Sequence, residues 1–328
     1  MPDNASLLLL DRDQAGALLR PDDVLDAVRE AFLLHASGAG KLFPLVREAL
    51  PAGVFGIKSG GVPERALLGM KAAGFWPGNR AQGADGHQAT IMLFDPATGR
   101  PQCVIDGNAV TTTRTAAAGA LGLLALARPD SESLCVFGTG VQGVAHTDYA
   151  LRVMPGIRRV RYLTSDGRRD AQFEALFAAR CDVGAGAGAD AAVAESDIVI
   201  TATRGAGPLF SASAVRPGTH LNCVGSDTRG KRELPEGLLA VAGVWADDLH
   251  QARAIGELQW AGEMVGKTEA EELGALLAGR TLARDGIAAG AITIFDMTGI
   301  ALQDLTVARM LYQRALENGS GTSISWPW

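Results

Sequence analysis

Residues 134–145 read Leu-Cys-Val-Phe-Gly-Thr-Gly-Val-Gln-Gly-Val-Ala, an apolar run that enters a G-x-G-x-x-G turn at Gly138, Gly140 and Gly143. Because glycine is 41 of the 328 residues, a bare G-x-G-x-x-G is expected about 0.6 times by chance in such a chain. The context is more specific: a strand pattern precedes the turn, a helical pattern follows it, and a second strand pattern covers residues 159–164. This order predicts a βαβ dinucleotide-binding unit, and the alternative is a glycine-rich turn that binds nothing.

The three glycines have different physical roles in such a unit. The first permits the tight turn, the second lets the backbone approach a pyrophosphate, and the third lets the helix pack on the strand. The N-terminus of the helix then faces the phosphates, where its free N–H groups and its dipole favour negative charge.

The bulk properties are those of a soluble globular enzyme. At 328 residues the chain is long for one core, so about two domains are expected. The hydrophobic fraction of 47% and the charged fraction of 20% are ordinary. A formal charge of −6 and a pI near 5.4 argue against a nucleic-acid partner. A small anionic substrate remains compatible, since it needs only a local group of cations.

We predict neither a metal site nor a membrane segment. The four cysteines have no C-x-x-C spacing and the five histidines have no ligand spacing. Cys135 and Cys223 lie in strand patterns and are expected to be buried free thiols. The apolar run 115–127 is shorter than the ~20 residues needed to cross a bilayer. Residues 7–10 are apolar but lack a preceding basic segment, so we expect no signal peptide and a cytoplasmic location.

The first third of the chain has the pattern of an antiparallel α+β domain. Residues 21–37 show helical spacing after an acidic first turn. From about residue 42 to residue 107, short apolar runs are broken by Gly and Pro. Four of these runs predict strands, at 52–60, 67–74, 89–94 and 102–106. Turn residues at 95–99 make the last two a hairpin.

The remainder alternates strand and helix patterns. Thr111, Thr112 and Thr113 offer N-caps to a helix from Arg114 to about Ala127. Further strands are predicted at 196–202, 220–225, 243–247 and 292–296, and the helical stretches between them imply a parallel sheet.

Two other stretches complete this prediction of the fold. The glycine- and alanine-rich run 184–190 lacks a preceding strand pattern and is interpreted as a flexible connection, and residues 301–317 form a last helix. The predicted fold class is α/β. A Rossmann-type doubly wound parallel sheet covers 116–304, and an α+β substrate domain covers 1–115, with 305–328 packing back on it.

Three cations in the N-terminal half have unusual neighbours. Arg47 follows Phe-Pro-Leu-Val, Lys71 lies in a mostly apolar strand, and Arg114 opens a helix of Ala, Gly and Leu. A charge in an apolar strand costs free energy unless it is paired. Either each cation makes a salt bridge with an acid elsewhere, or together they form an anion site. An arginine at a helix N-terminus would suit a carboxylate. Lys58 is a fourth candidate, or else a solvated turn lysine.

Asp227 is a candidate acid at the ligand-binding edge of the predicted parallel sheet. Asp227 follows a predicted parallel strand, at the sheet edge where open α/β sheets bind ligands. Beside a cofactor it could exchange a proton with an imine or amine. The alternative is an aspartate that only caps a helix or a turn.

Several stretches, in chain order, resemble the ornithine cyclodeaminase/mu-crystallin family along nearly the whole chain. They are Arg47, Gly-Met-Lys at 69–71, Gly-His-Gln at 86–88, Leu-Phe-Asp-Pro-Ala-Thr-Gly at 93–99, Thr-Thr-Arg-Thr-Ala-Ala-Ala at 112–118, Gly-Thr-Gly-Val-Gln at 138–142, Gly-Ser-Asp-Thr-Arg-Gly-Lys-Arg-Glu-Leu at 225–234, and Phe-Asp-Met-Thr-Gly-Ile-Ala-Leu-Gln-Asp at 295–304.

The resemblance implies a homodimer whose substrate and dimerisation domain is built from both chain ends. Members of this family reduce imino acids with NAD(P)H, oxidise amino acids, or cyclise ornithine with loss of ammonia. The positions matching Arg47, Lys71 and Arg114 hold the substrate carboxylate in the family, and the position matching Asp227 acts as acid/base in the cyclodeaminase and alanine dehydrogenase branches. Mu-crystallin and many cyclic-imine reductases look different at that last loop.

Within the family, residues 43–49, 55–61 and 74–79 look most like the iminosuccinate reductases, which make aspartate. Lys58 is the candidate for binding a second carboxylate. The acid that recognises the distal amine in ornithine cyclodeaminases has no clear match. An ornithine cyclodeaminase and a non-catalytic, mu-crystallin-like ligand-binding protein remain as alternatives.

In the reductive direction, we expect an imino acid to bind through Arg47, Lys71 and Arg114, with Lys71 polarising the imine and Asp227 protonating its nitrogen. The tip of the second strand carries Thr164 rather than an acid, and Arg168 follows, so we expect NAD or NADP with a slight preference for NADP or dual use. The residues expected to bind the cofactor are Thr113, Gly138, Thr139, Gly140, Val141, Gln142, Thr164, Ser165, Arg168, Thr201, Ala202, Thr203, Val224 and Ser226.

Overall fold

The computed structural model describes residues 5–205, 207–262, 270–281, 286–288 and 290–326. The chain divides into two compact units. We call Met1–Arg114 with Ile300–Trp328 the terminal unit, and Thr115–Gly299 the central unit.

The terminal unit is a mixed sheet with helices. Its elements are β1 (Ser6–Leu10), α1 (Arg12–Leu18), α2 (Pro21–Ala36), β2 (Lys41–Leu42), β3 (Val46–Leu50), β4 (Gly53–Val62), β5 (Leu67–Phe75), β6 (His87–Phe94), β7 (Pro101–Asp106), α10 (Ala301–Asn318) and β16 (Thr322–Ser325). The strand order is β16-β1-β7-β6-β5-β4-β2, with β3 also paired to β4. All pairings are antiparallel except that of β1 with β7. The predicted strands and the 95–99 hairpin are therefore confirmed.

Helix α10 packs on β4, β5 and β6. The approach is close: a Cβ at Gly69 of β5 would lie 2.6 Å from the backbone oxygen of Met92 and 2.7 Å from a methyl of Leu305, so a side chain there would force the neighbours to shift. The tail continues as β16, which pairs with β1. Trp328, the end of the segment expected to pack back, lies outside the described residues.

Helix α3 (Gly107–Leu126) leads from the terminal unit into the central one. Its 20 residues are long and apolar enough to cross a bilayer by length and composition, and 67% of that window is buried in the protein. Burial of this kind is typical of a core helix.

The central unit is a parallel sheet with helices between its strands. Its elements are β8 (Ser133–Phe137), α4 (Val141–Val153), β9 (Arg159–Leu163), α5 (Ala171–Phe177), β10 (Asp182–Ala185), α6 (Ala189–Ala194), β11 (Ile198–Thr201), β12 (His220–Cys223), α7 (Leu238–Val241), β13 (Gly243–Ala246), α8 (Leu249–Ile255), β14 (Glu271–Glu272), α9 (Leu273–Leu277) and β15 (Thr293–Asp296). The strand order is β10-β9-β8-β11-β12-β15-β13-β14, with parallel pairings throughout. The order reverses between β8 and β11, which is the position where such sheets bind ligands.

One local prediction in this unit was wrong. The run 184–190 is not a free connection, because its first residues belong to β10, an edge strand paired with β9. Its small residues hid the strand, since they carry no β-branched or aromatic signal. The prediction of buried free thiols at Cys135 and Cys223 is confirmed.

Candidate active site

Two of the predicted cations meet at one buried carboxylate in the terminal unit. The Lys71 ammonium lies 2.8 Å from both carboxylate oxygens of Asp304. Arg114 Nε donates to Asp304 Oδ1 at 2.9 Å, and Arg114 Nη1 donates to Gln303 Oε1 at 3.0 Å. Lys71 comes from β5, Arg114 from α3, and both acceptors from the first turn of α10. All four side chains are buried.

The setting predicted for Arg114 is corrected by the structure. Helix α3 begins at Gly107, so Arg114 lies two turns inside it and not at its N-terminus. The Asp106 carboxylate accepts from Asn108 N at the true start. The hydroxyls of Thr112 and Thr113 donate back to Asn108 O and Ala109 O at 3.0 and 2.9 Å, so they act inside the helix and not as caps.

The charges in this cluster do not balance. Among the described residues, Lys71 and Arg114 share a single carboxylate, and a buried cation in excess is costly unless an anion joins it. Burial alone would raise the pKa of the Asp304 carboxyl, but Arg114 and Lys71 together hold that pKa below its ordinary value. Burial and the charge of Arg114 lower the pKa of Lys71 to about 7, with Asp304 opposing the shift. The cluster is therefore suited to binding a carboxylate.

The other two predicted cations follow from the register of the sheet. Lys58 on β4 is directly paired with Lys71 on β5, so the two side chains share one face. Arg47 pairs with Gly56, which puts it on the same face, but on the exposed strand β3. His87 of β6 is on this face too, and its Nδ1 lies 2.9 Å from Asn108 Oδ1. Burial lowers the pKa of His87, which favours the neutral ring.

Replacing Arg114 is expected to weaken carboxylate binding most among these cations. Two of its five N–H groups are used by Asp304 and Gln303, and a bidentate bond from the others suits a carboxylate. We expect Arg114→Ala to lower kcat/KM by about 10²-fold or more, and Arg114→Lys to lower it less. NADH affinity and thermal unfolding are the controls. Near-wild-type kinetics in Arg114→Ala would remove this residue from the site.

Carboxylate binding is expected to weaken as the pH rises through about 7. The anion binds the charged form of Lys71, and the pKa of that ammonium in the free protein is about 7. Above this pH a proton must be taken up on binding, so the Kd rises by up to about tenfold per pH unit. Calorimetric titration with succinate from pH 6 to 9, in buffers of different ionisation enthalpy, measures both the Kd and the proton uptake.

The control is Lys71→Arg. Because arginine stays charged throughout this range, the Kd of this variant for succinate should not change with pH. A flat Kd in the wild-type protein would contradict the assignment.

The glycine-rich turn of the central unit has the predicted geometry at each glycine. Gly138 has φ +95°, and a Cβ there would lie 2.6 Å from Ala202 O. A Cβ at Gly143 would overlap the carbonyl of Gly138, so the third glycine lets α4 pack on β8. Nothing lies within 4 Å of a Cβ at Gly140, which leaves open space where a pyrophosphate is expected. Gly140 is the N-cap of α4 and makes no side-chain capping bond, so the N-terminus of this helix is available to an anion.

Other predicted cofactor residues follow the carboxyl ends of neighbouring strands. After β9, Thr164 Oγ1 donates to Arg168 O at 2.8 Å, Ser165 is exposed, and the Arg168 side chain is 86% exposed, 3.7 Å from Asp166 Oδ2. In the glycine turn, Val141 is exposed. The hydroxyl of Thr139 bonds to the Asp170 carboxylate. The Gln142 side-chain carbonyl has no hydrogen-bond donor among the described residues.

The six remaining predicted cofactor residues contact other parts of the protein in the structure. The hydroxyls of Thr201 and Thr203 donate to the buried carboxylate of Glu233 at 2.7 and 2.6 Å. Ala202 contributes backbone beside Gly138. The hydroxyl of Thr113 donates to Ala109 O within its own helix. After β12, Val224 N donates to Thr201 O at 2.9 Å, and Ser226 Oγ donates to Lys231 O at 3.1 Å.

Asp227 lies in the loop after β12, at the carboxyl edge of the sheet. Its side chain is 43% exposed. Lys231 Nζ donates to Asp227 Oδ1 at 2.6 Å, and Thr228 Oγ1 donates to the same oxygen at 3.0 Å. A partly exposed carboxylate at this edge of the sheet can contact a molecule bound there.

A doubly wound parallel sheet with this turn at its switch point makes the central unit a Rossmann-type dinucleotide-binding unit.

Residues 7–319 match the ornithine cyclodeaminase/mu-crystallin family. The iminosuccinate reductase of Paracoccus denitrificans is 32% identical over 95% of this chain and 98% of its own. The structure of that enzyme in complex with NAD+ has a TM-score of 0.90 at 31% identity, covering 98% and 100% of the two chains. An archaeal alanine dehydrogenase dimer with bound NAD has a TM-score of 0.92 at 30% identity, with the same coverage. The chain belongs to the ornithine cyclodeaminase/mu-crystallin family.

Sequence reasoning assigned no role to several residues that organise these sites. Asp304 and Gln303 close the motif at 295–304, and Glu233 lies in the motif at 225–234, so position within a motif was the available signal. Their partners are distant in sequence: Asp304 is 233 residues from Lys71 and 190 from Arg114.

Proposed function

We propose that this chain is an NAD(P)-dependent imine reductase that converts iminosuccinate to aspartate. The observation that carries the proposal is the row of cations in the terminal unit, where Lys58 pairs across β4 and β5 with Lys71, and Lys71 shares Asp304 with Arg114. Two carboxylates on one small substrate need more positive charge than one carboxylate does. The likeness to a protein named iminosuccinate reductase points the same way.

In the proposed reaction, the α-carboxylate binds Arg114 and Lys71, and Arg47 adds charge on the same sheet face. The bound cofactor supplies a hydride to the imine carbon, and Asp227 supplies the proton that the nitrogen takes up. Iminosuccinate, NAD(P)H and a proton thus give aspartate and NAD(P)+. Holding both reactants in place removes much of the entropic barrier.

The cofactor assignment includes both nicotinamide dinucleotides. The related structures were described with NAD. The tip of β9 offers the hydroxyl-bearing Thr164 and Ser165 and the exposed Arg168, a composition that also accepts a 2′-phosphate. We assign NAD(H) and NADP(H) as alternative cofactors, which a comparison of the two Kd values tests.

We further propose that the enzyme is a homodimer. The archaeal alanine dehydrogenase is a dimer. In this chain Phe43, Val46 and Leu50 are exposed apolar side chains on and beside β3, an edge that suits a second copy of the terminal unit. Light scattering after size-exclusion chromatography tests this assignment.

The test of the activity is a panel of 2-oxo acids with ammonia, followed by NAD(P)H absorbance. Oxaloacetate plus ammonia supplies iminosuccinate and is expected to react faster than pyruvate plus ammonia or a cyclic imine. Equal rates with pyruvate would assign the chain to another reductase. Ammonia release from ornithine without net NAD(P)H change would make it a cyclodeaminase. Cofactor binding without any turnover would favour a ligand-binding protein.

Lys58→Ala is expected to remove the preference for the dicarboxylic substrate. A charge-assisted hydrogen bond contributes about 1.5–3 kcal/mol, so the kcat/KM ratio of iminosuccinate to the pyruvate imine should fall about 10- to 100-fold. Lys41→Ala is the matched control, since Lys41 is exposed on β2 and pairs with β4 at Gly61. An unchanged ratio in Lys58→Ala would contradict the role of Lys58.

A further inference from the structure

We infer that Glu233 is a positioning residue that holds the loop bearing Asp227 and the loop beside the dinucleotide turn in one fixed arrangement. This inference rests on the proposed function for its catalytic consequence. Its geometric basis lies wholly within the central unit.

The Glu233 carboxylate has no exposed surface and accepts four hydrogen bonds. Oε1 accepts from Thr203 N at 2.8 Å and from Thr203 Oγ1 at 2.6 Å. Oε2 accepts from Thr201 Oγ1 at 2.7 Å and from Gly225 N at 2.9 Å. Thr201 and Thr203 belong to the end of β11 and the loop after it, while Gly225 opens the loop after β12. One side chain therefore joins two loops at the switch-point side of the sheet.

Each joined loop leads to a residue of the proposed reaction. Between the two threonines, Ala202 N donates to Phe137 O at 2.9 Å, and Ala202 O occupies the space that a Cβ at Gly138 would need. The first loop is thus packed against the dinucleotide turn. Gly225 lies two residues before Asp227, and a Cβ at Gly225 would collide with the Glu233 carboxylate and with Thr203 O. The second loop is thus packed directly on the first.

The backbone at Glu233 is itself fixed by further buried acids. Glu257 accepts from Glu233 N at 2.7 Å, and Asp296 at the end of β15 accepts from Glu257 N at 3.0 Å. Burial is the main cause that raises the pKa of each of these carboxyls, Glu233 included. An unpaired acid at this depth would destabilise the fold, and the four donors that converge on Glu233 offset that cost.

Glu233→Gln tests the inference because it keeps the shape and replaces one acceptor oxygen with an NH2 group. Each carboxylate oxygen receives one backbone N–H, from Thr203 or from Gly225. Whichever way the amide is oriented, one of those N–H groups faces another donor and loses its bond. Glu236→Gln is the matched control, since it makes the same chemical change at an exposed position of the same segment.

Hydrogen exchange at the backbone amides of the two loops tests whether Glu233 holds them, and it does not require any catalytic turnover. In Glu233→Gln, the amide of Thr203 or Gly225 is expected to exchange at least about tenfold faster than in the wild-type protein, and peptides covering Asp227 should follow. Glu236→Gln should match the wild-type protein. Unchanged protection of both amides in a folded Glu233→Gln protein would overturn the inference, whatever reaction the protein catalyses.

Steady-state kinetics then measure the effect of Glu233→Gln on catalysis. With the substrate that the wild-type protein reduces, Glu233→Gln is expected to lower kcat about tenfold or more, to leave the substrate KM within about threefold, and to enlarge the isotope effect from [4-²H]NADH. A lower melting temperature with unchanged kcat per folded protein would mean a purely structural role and would overturn the inference. Absence of turnover in the wild-type protein would contradict the proposed function instead, leaving the exchange result to decide for Glu233.

Discussion

Asp227→Asn is expected to lower kcat by about 10²- to 10⁴-fold. Asparagine keeps the shape of the side chain, and its carbonyl still accepts from Lys231 Nζ, which donates to Asp227 Oδ1 at 2.6 Å in the present structure. The amide cannot give a proton to the imine nitrogen, so only the chemical step should suffer. Steady-state kinetics with the best substrate of the panel measure the effect.

The controls for this variant are NADH affinity and thermal stability, both of which should remain close to wild type. Asp227 is partly exposed, so its replacement leaves no buried charge unpaired. If kcat is unchanged while the stability falls, Asp227 is a turn residue and the proton has another source.

Asp304→Asn is expected to cause the largest loss of stability, about 3–5 kcal/mol in the free energy of unfolding. The Asp304 carboxylate is fully buried and is the acceptor that Lys71 and Arg114 share. An amide in its place leaves Lys71 and Arg114 buried with no counter-charge from the part of the chain that the structure describes. Urea unfolding of the purified protein measures the loss.

Asp85→Asn provides the matched control in the terminal unit. Asp85 also pairs with an arginine, Arg12, but both side chains are more than half exposed. Exposed ion pairs contribute about 0–1 kcal/mol, so this variant should unfold almost as the wild-type protein does. Equal losses in the two variants would mean that Asp304 is not the counter-charge of the cluster.

Much of the fold could be predicted because its signals are local. The glycine turn at Gly138 works through backbone geometry, and the strands of both units are bounded by Gly, Pro and polar turns. Local signals also explain the errors. The strand Asp182–Ala185 ends in Gly184 and Ala185, which carry no β-branched or aromatic signal. Helix α3 starts at Gly107 because the Asp106 side chain caps it, and the three threonines at 111–113 looked like better caps.

For the charged pairs of the candidate site, the sequence indicated one partner and not the other. Lys71 and Arg114 were conspicuous because a cation in an apolar segment is costly. The acid that pairs with them, Asp304, lies in an ordinary-looking helix start almost at the other end of the chain. Glu233 was hidden for a similar reason: it follows Lys-Arg in a charged stretch typical of a surface loop, yet the fold buries it fully. Long-range pairing of this kind leaves no local pattern.

The most direct test of the proposed reaction follows the hydride itself. Oxaloacetate, ammonia and [4-²H]NADH, deuterated on the transferred face, are incubated with the enzyme, and the products are analysed by mass spectrometry. Hydride transfer to the imine carbon predicts aspartate carrying one deuterium at Cα. Deuterated malate without labelled aspartate would mean that the enzyme reduces the carbonyl and not the imine, and would contradict the proposal.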